Sequence, residues 1–127
     1  MAKILVVDDS QTLRMQLRKM LEEAKHEVIE AEDGLHGFEL MQAAKGEFEL
    51  VLCDVNMPRM DGLTMCEKVR EGGLYKGPIF MVTTESNPDM KTRGKAAGVV
   101  AWITKPFTTA KVISGVEKVL ARKDEAA

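Results

Sequence analysis

The sequence predicts an α/β fold in which a five-stranded parallel sheet lies between two layers of helices. Three observations predict it. Short apolar segments of strand length recur along the chain, a segment with helical spacing follows each of them, and 127 residues are enough for one domain with its own core. Such alternation builds sheets that are covered on both faces, with right-handed crossovers. We therefore expect a three-layer, doubly wound single domain over residues 1–127.

The first 44 residues predict two strands and two helices. "KILVVDD" (3–9) is a β-branched run typical of a strand buried on both faces. Ser10 is a candidate N-cap for the helix that follows. The apolar residues behind it have helical spacing: Leu13, Leu17, Met20, Leu21 and Ala24. "EVIEA" (27–31) alternates like an edge strand, Asp33-Gly34 predicts a turn, and "LHGFELMQAA" (35–44) predicts the second helix.

The rest of the chain repeats this pattern. "ELVLCD" (49–54), "PIFMVTT" (78–84) and "VVAWIT" (99–104) predict the last three strands. The third helix contains Met65 and Val69 and stops at Gly72-Gly73. "NPDMKTRGKAAG" (87–98) predicts a short, poor helix because Gly94 lies inside it. The fifth helix has an apolar face: Val112, Ile113, Val116, Val119 and Leu120. We expect a core of about residues 3–121 and a frayed tail, "ARKDEAA".

Composition excludes several classes of function. A net charge of −2 gives no basic field that would attract nucleic acid or a membrane surface. The apolar runs are too short for a signal peptide or a membrane span. Cys53 and Cys66 have neither redox nor zinc spacing, and Cys53 is expected to be a small core residue. These features predict a cytoplasmic protein with reduced thiols.

Polar side chains follow four of the predicted strands. Asp8 and Asp9 end the first strand, Asp54 the third, Thr83 the fourth and Lys105 the fifth. Because the carboxyl ends of parallel strands meet at the same edge of a sheet, these groups are expected to converge on one site. Three carboxylates about 5 Å apart repel by about 3 kcal/mol per pair at an effective dielectric constant near 20. A hard divalent cation would relieve that repulsion, and Mg²⁺ needs only one or two carboxylates.

Mg²⁺, a carboxylate, a hydroxyl and a lysine are the components of phosphoryl transfer. Asp54 is the best nucleophile because it stands alone at its strand end, whereas Asp8 and Asp9 are adjacent and suited to holding metal. Lys105 would contact a phosphoryl oxygen as a point charge, and Thr83 would donate its hydroxyl to the same group.

Four motifs in this order resemble the receiver domains of two-component response regulators, and within that family the stand-alone chemotaxis regulators. They are "VVDDS" (6–10), "CDVNMPRMDG" (53–62), "MVTTES" (81–86) and "WITKPF" (102–107), and the resemblance covers about residues 3–121. It implies a flavodoxin-like, CheY-like sheet with strand order 2-1-3-4-5. It also implies that a histidine kinase phosphorylates Asp54.

The resemblance assigns the other site residues as well. Asp8, Asp9, Asp54 and the backbone carbonyl of Asn56 would bind Mg²⁺, while Lys105 and Thr83 would hold the phosphoryl oxygens. Trp102 stands where the family has a switching aromatic residue, which would turn inward when Thr83 moves toward the phosphoryl group. The peptide bond before Pro106 is expected to be cis. Asn56 and Glu85 would leave room for an attacking water, which predicts a short-lived phosphoryl group.

The output is expected to be binding of another protein. The resemblance places the output face on the fourth helix, fifth strand and fifth helix, with a target such as a flagellar motor switch component. The basic residues Lys91, Arg93 and Lys95 fit a solvated helix face as well as a docking surface for an acidic partner. We expect a monomer that catalyses only its own phosphorylation and dephosphorylation, and that binds no nucleic acid.

Several alternatives stay open at this point. The runner-up is a phosphorelay intermediate that passes its phosphoryl group to a histidine phosphotransfer protein, although Asn56 and Glu85 argue against the durable group it would need. An aspartate-nucleophile phosphatase would need a second acid where Asn56 stands. An FMN carrier would find its phosphate repelled by Asp8 and Asp9. The chain could also be a receiver cut from a longer regulator. His26 and His36 are isolated and are expected at the surface.

Overall fold

The sheet has the strand order that the resemblance implies. A computed structural model describes residues 2–126, and the side chains as far as Arg122. Within those residues, parallel strands form one sheet in the order β2-β1-β3-β4-β5. The strands are β1 (Lys3–Val7), β2 (Glu27–Ala31), β3 (Leu50–Cys53), β4 (Ile79–Thr83) and β5 (Val99–Thr104). The helices are α1 (Gln11–Glu23), α2 (Gly34–Ala44), α3 (Gly62–Glu71), α4 (Pro88–Ala96) and α5 (Thr109–Ala126).

The apolar strands separate two hydrophobic clusters, one on each face of the sheet. Along β1, Ile4 and Val6 point into the cluster that includes α1 and α5, whereas Leu5 and Val7 point into the cluster that includes α2 and α3. All residues of β3 and β4 are buried. This two-sided burial explains why the central strands are continuous apolar runs, while β2 at the sheet edge combines buried, partly buried and exposed residues. The predicted three-layer architecture is confirmed.

Side-chain caps set where the helices begin. Ser10 accepts a hydrogen bond from the backbone N–H of Leu13, so the predicted cap of α1 is confirmed. Asp61 and Asn87 cap α3 and α4 in the same way. Asp33-Gly34 was expected to form a turn, but Asp33 instead caps α2, which starts at Gly34. An Asp-Gly pair fits both structures, and only the helix that follows distinguishes them.

The prediction that both histidines lie at the surface is wrong for His26, which is 8% exposed. The backbone N–H of Ala2 donates to its Nδ1, and its Nε2 lies 3.2 Å from Oε1 of Glu117 on α5. These partners come from distant parts of the chain, so the local sequence gave no sign of them. His36 is partly exposed, and its Nδ1 accepts from the N–H of Glu32.

Helix α5 forms the C-terminal end of the described chain. Helix α5 continues to Ala126, past the point at which fraying was predicted to begin. The predicted frayed tail covers residues 121–127, and the structure does not describe the side chains of residues 123–127. Val112 and Val116 on α5 are buried, which confirms its predicted apolar face.

No helix within residues 2–126 combines the length and apolarity that a membrane span requires.

Candidate functional site

The site lies at the carboxyl ends of the central strands, where the ladder hydrogen bonds stop. The N–H of Asp54 donates to the carbonyl of Val7, and the N–H of Asp8 donates to that of Ala31. These bonds fix the last residues of β1 and β3 side by side. The acids predicted to end the strands therefore lie one or two residues past them, at the same edge of the sheet.

Three carboxylates and one ammonium group converge there. Oxygen atoms of Asp8, Asp9 and Asp54 all lie within 4.8 Å of one another. Nζ of Lys105 donates to Oδ2 of Asp54 over 2.7 Å and to Oδ2 of Asp8 over 3.1 Å. The predicted convergence of these residues is confirmed. One ammonium cannot balance three carboxylates, so the site keeps an excess of negative charge.

The electrostatics of the site favour a cation. Burial raises the pKa of Asp8 above its ordinary value, and its hydrogen bonds from Ser10 and Lys105 offset this only in part. Burial works to lower the pKa of Lys105, but its hydrogen bonds to Asp54 and Asp8 outweigh it, so the pKa is raised. Lys105 is thus a fixed positive charge, and Asp8 stays partly uncompensated. A clustered set of hard oxygen donors with surplus negative charge fits Mg²⁺.

Asp54 is a buried carboxylate that hydrogen bonds hold in place. Its Oδ1 accepts from the N–H of Val55 over 2.7 Å, and its side chain is only 11% exposed. A Cβ on Gly62 would lie 1.8 Å from the carbonyl oxygen of Asp54, so only glycine lets α3 start against this backbone. By sequence alone, the pair Asp61-Gly62 predicts only a turn and a helix cap. Asp61 is that cap, but the close approach at Gly62 was missed because it depends on the tertiary packing.

The loop after Asp54 is tied to the start of α2. Nε of Arg59 donates to Oδ2 of Asp33 over 2.6 Å, although Arg59 has a φ of 64° that a non-glycine residue rarely adopts. Within the same loop, the Asn56 side chain donates to Oε1 of Glu85 over 2.7 Å. Among the described donors, which are the backbone of residues 2–126 and the side chains as far as Arg122, none is hydrogen-bonded to the carbonyl of Asn56, so that oxygen can serve as a metal ligand.

Thr83 and Trp102 lie on the other side of the site. Thr83 is fully buried, and its hydroxyl accepts from the N–H of Glu85 over 3.2 Å. Its carbonyl accepts from the N–H of Lys105, so the ends of β4 and β5 lie side by side. Among the described residues, no hydrogen bond joins the Thr83 hydroxyl to the carboxylates. The peptide bond before Pro106 is cis, as the resemblance implies.

The indole of Trp102 connects β5 to the β4–α4 loop. It is partly buried, and its Nε1 donates to the carbonyl of Glu85 over 2.6 Å. A Cβ on Gly94 would lie 3.1 Å from its Cζ3. Gly94, which made α4 a poor helix by propensity, is therefore the residue over which the indole lies. Two of the three basic residues of α4, Lys91 and Lys95, line a shallow apolar groove with Val100 and Trp102. Arg93 is instead paired with Glu67 on α3.

The cysteines lie together in the core beneath Asp54. Cys53 and Cys66 are both buried free thiols. Contact with Cys66 and burial raise the pKa of the Cys53 thiol well above its ordinary value. A thiol held in its neutral form is a poor nucleophile, so the interpretation of Cys53 as a core residue is supported.

Comparison with known proteins agrees with this geometry. The sequence model of the response regulator receiver domain matches residues 4–117. Chemotaxis protein CheY1 of Helicobacter pylori is 38% identical over 124 residues, which cover 96% of this chain and 99% of the relative. The chemotaxis protein CheY homolog of Campylobacter jejuni is 38% identical over 120 residues, 93% of this chain and 92% of that protein.

Solved structures give the same result. The structure of chemotaxis protein CheY4 of Vibrio cholerae is 39% identical with a TM-score of 0.85, covering 94% of this chain and 98% of that one. A CheY-like receiver domain from Methanospirillum hungatei superposes with a TM-score of 0.90 over 100% of this chain and 99% of its own, at 24% identity. The second likeness concerns the fold alone.

Proposed function

The chain belongs to the response regulator receiver domain family, closely related to the CheY chemotaxis regulators, and on that premise we propose that it is a stand-alone two-component switch phosphorylated on Asp54. The observation that carries the proposal is the Lys105 ammonium, which bridges Asp54 and Asp8 inside a cluster of three carboxylates. We infer that the chain is a single receiver domain with a core of about residues 3–121. Its cytoplasmic location stays a prediction.

The proposed chemistry begins with a phosphohistidine on a histidine kinase. A carboxylate oxygen of Asp54 attacks the phosphorus, the P–N bond breaks, and the imidazole leaves with the electron pair and takes up a proton. Mg²⁺ would neutralise the charge on the phosphoryl oxygens when it is bound. Asp8, Asp9, Asp54 and the carbonyl of Asn56 would hold it. Lys105, which now contacts Asp54, would transfer its hydrogen bond to a phosphoryl oxygen.

The proposed switch uses the residues around Glu85. Thr83 would exchange its hydrogen bond from the Glu85 N–H for one to the phosphoryl group, and Glu85 also accepts from Trp102. Movement of Thr83 would therefore reach the indole through one residue. The indole borders the apolar groove on α4 and β5, within the face proposed to bind a target protein, such as a flagellar motor switch component. The protein is a signalling switch and would catalyse only its own phosphorylation and dephosphorylation, as a monomer.

Acetyl phosphate tests the phosphorylation site. With Mg²⁺, wild-type protein is expected to gain the mass of one phosphoryl group and to change its Trp102 fluorescence. Asp54→Asn should do neither, because an amide is not a nucleophile. Asp61→Asn is a matched control, since Asp61 caps α3 outside the carboxylate cluster. Equal labelling of wild type and Asp54→Asn would exclude Asp54 as the acceptor.

The same labelled protein tests the lifetime of the phosphoryl group and the phosphorelay alternative. Asn56 and Glu85 lie hydrogen-bonded at the rim of the site, and small polar groups there leave space for a water to attack the phosphorus. We expect rapid loss of the group once acetyl phosphate is removed. A phosphoryl group that persists for hours in Mg²⁺ buffer would instead favour the relay function.

A further inference from the structure

The backbone carbonyl of Asp8 accepts no hydrogen bond from a backbone N–H of the described residues. The N–H of Asp8 makes the last bond of β1, to Ala31, and the chain then turns away toward α1. An arginine in the first turns of α1 supplies the missing donor: Nη1 of Arg14 donates to the Asp8 carbonyl over 2.5 Å. A hydrogen bond from a charged donor is among the stronger ones in proteins.

This carbonyl belongs to the peptide unit that joins Asp8 to Asp9. Because a peptide unit is planar, fixing its oxygen also fixes its N–H and the direction in which the chain leaves toward the Asp9 side chain. The Asp8 carboxylate is separately fixed by the N–H of Ser10 over 2.8 Å and by Lys105. Asp9 is exposed, so its placement depends on the backbone that carries it.

Arg14 is itself held in place. Its Nε donates to Oε1 of Glu30 on β2 over 3.0 Å, and its side chain is only 15% exposed. The second oxygen of Glu30 accepts from Nε of Arg18 over 2.7 Å, one helical turn further along α1. The two arginines thus share one carboxylate and one helix face, but Arg14 alone of the two contacts the backbone of the carboxylate cluster.

We propose that Arg14 is a positioning residue for the divalent-cation site, because it holds the Asp8–Asp9 peptide in the orientation that brings both carboxylates to the metal. The inference rests on the proposed function, since it assumes that Asp8 and Asp9 bind the cation. Arg14 does not touch the metal or the phosphoryl group in this scheme. Glu30 and Glu22 together balance the charges of Arg14 and Arg18, so Arg14 acts through geometry and adds no net charge to the site.

Arg18 supplies the matched control for the experiment. Arg14→Met and Arg18→Met each remove an ion pair with Glu30 and a hydrogen bond to one backbone carbonyl, that of Asp8 or of Val28. Arg18→Met also removes an exposed ion pair with Glu22, which should contribute little, so both variants should lower the free energy of urea unfolding by similar amounts. Only Arg14→Met frees the Asp8 carbonyl. Without metal, we expect the amide NMR signal of Asp9 to move in Arg14→Met and to stay in place in Arg18→Met.

Titration with Mg²⁺, followed by the same amide signal and by Trp102 fluorescence, gives the second measurement. Removing a group that orients a metal ligand typically weakens affinity 10–100-fold, so the dissociation constant of Arg14→Met should rise by about tenfold or more. That of Arg18→Met should be unchanged. At saturating Mg²⁺, the rate of labelling by acetyl phosphate should return to the wild-type value, because Arg14 affects binding and not the attack by Asp54.

Arg14→Lys keeps the proposal testable if Arg14→Met does not fold. Lysine retains the charge beside Glu30, but one ammonium is a poor substitute for a planar guanidinium that donates to two acceptors at once. We expect its Mg²⁺ affinity to fall as well. Equal Mg²⁺ affinity in the Arg14 and Arg18 variants would overturn the inference while leaving the proposed function intact. A wild-type protein that does not bind Mg²⁺ would overturn both.

Discussion

Helices α1 and α4 both begin just after a strand that ends at the site, but they are attached to the protein very differently. α1 has thirteen residues, buries Leu17 and Leu21 in the core, and is fastened to β2 through two arginines. α4 has nine residues and buries only Gly94. Its ion pair, between Arg93 and Glu67, lies at the surface.

The difference shows how one site can combine a fixed half with a movable half. The α1 side carries Asp8 and Asp9, which must keep their positions if they are to hold a cation. The α4 side follows Thr83 and carries the proposed output surface. An element with few buried apolar contacts can shift at low cost in free energy, which is what a switch requires. Weak attachment of α4 is therefore consistent with its proposed role.

Core truncations should separate the two helices most clearly. Leu21→Ala in α1 is expected to lower the free energy of unfolding by about 2–5 kcal/mol, because Leu21 is fully buried and its removal leaves a cavity. Met90→Ala in α4 should cost only about 1 kcal/mol, because Met90 is only partly buried, at the edge of the core. Urea unfolding measures both. Equal losses would show that α4 is as firmly held as α1.

A smaller effect is expected at the contact between α4 and the indole. Gly94→Ala improves helix propensity by up to about 1 kcal/mol, but its Cβ would press on Trp102 and Val99. We expect a net stability change below that figure, with a clear shift of Trp102 fluorescence as the ring moves. Ala96→Gly is the control. Because Ala96 is exposed, this substitution should lower stability without moving the indole. Unchanged fluorescence in Gly94→Ala would mean that the indole does not rest on α4.

The surface ion pair of α4 should contribute least. Glu67→Gln is expected to lower stability by less than about 1 kcal/mol at pH 7, as exposed pairs do. The hydrogen bond from Arg93 lowers the pKa of Glu67, so the pair stabilises the fold above the ordinary glutamate pKa and loses this effect as pH falls through the lowered value. Denaturation measured from pH 7 to pH 3 should show the two proteins converging. Glu71→Gln is the control, because Glu71 lies on the same helix and forms no ion pair among the described side chains.

Much of the site was predictable because its chemistry lies in residues at strand ends. Asp54 and Lys105 are far apart in sequence, yet the topology of a parallel sheet brings them within 2.7 Å. What could not be predicted were the residues that act through tertiary contacts. Arg14 has the sequence context of an ordinary polar helix residue, and Gly62 that of an ordinary turn. Their roles depend on which backbone lies against them.

The sequence by itself determined the elements, their order along the chain and the acids, hydroxyl and lysine of the site, because apolar periodicity and strand-end position are local properties of the chain. Only the tertiary structure decided which groups hold those residues in place. It buried His26 against the start of the chain and α5, placed Gly94 beneath Trp102, and set Arg14 on the Asp8 carbonyl. Such contacts join segments whose distance and orientation depend on how all the layers pack, so no short stretch of sequence specifies them.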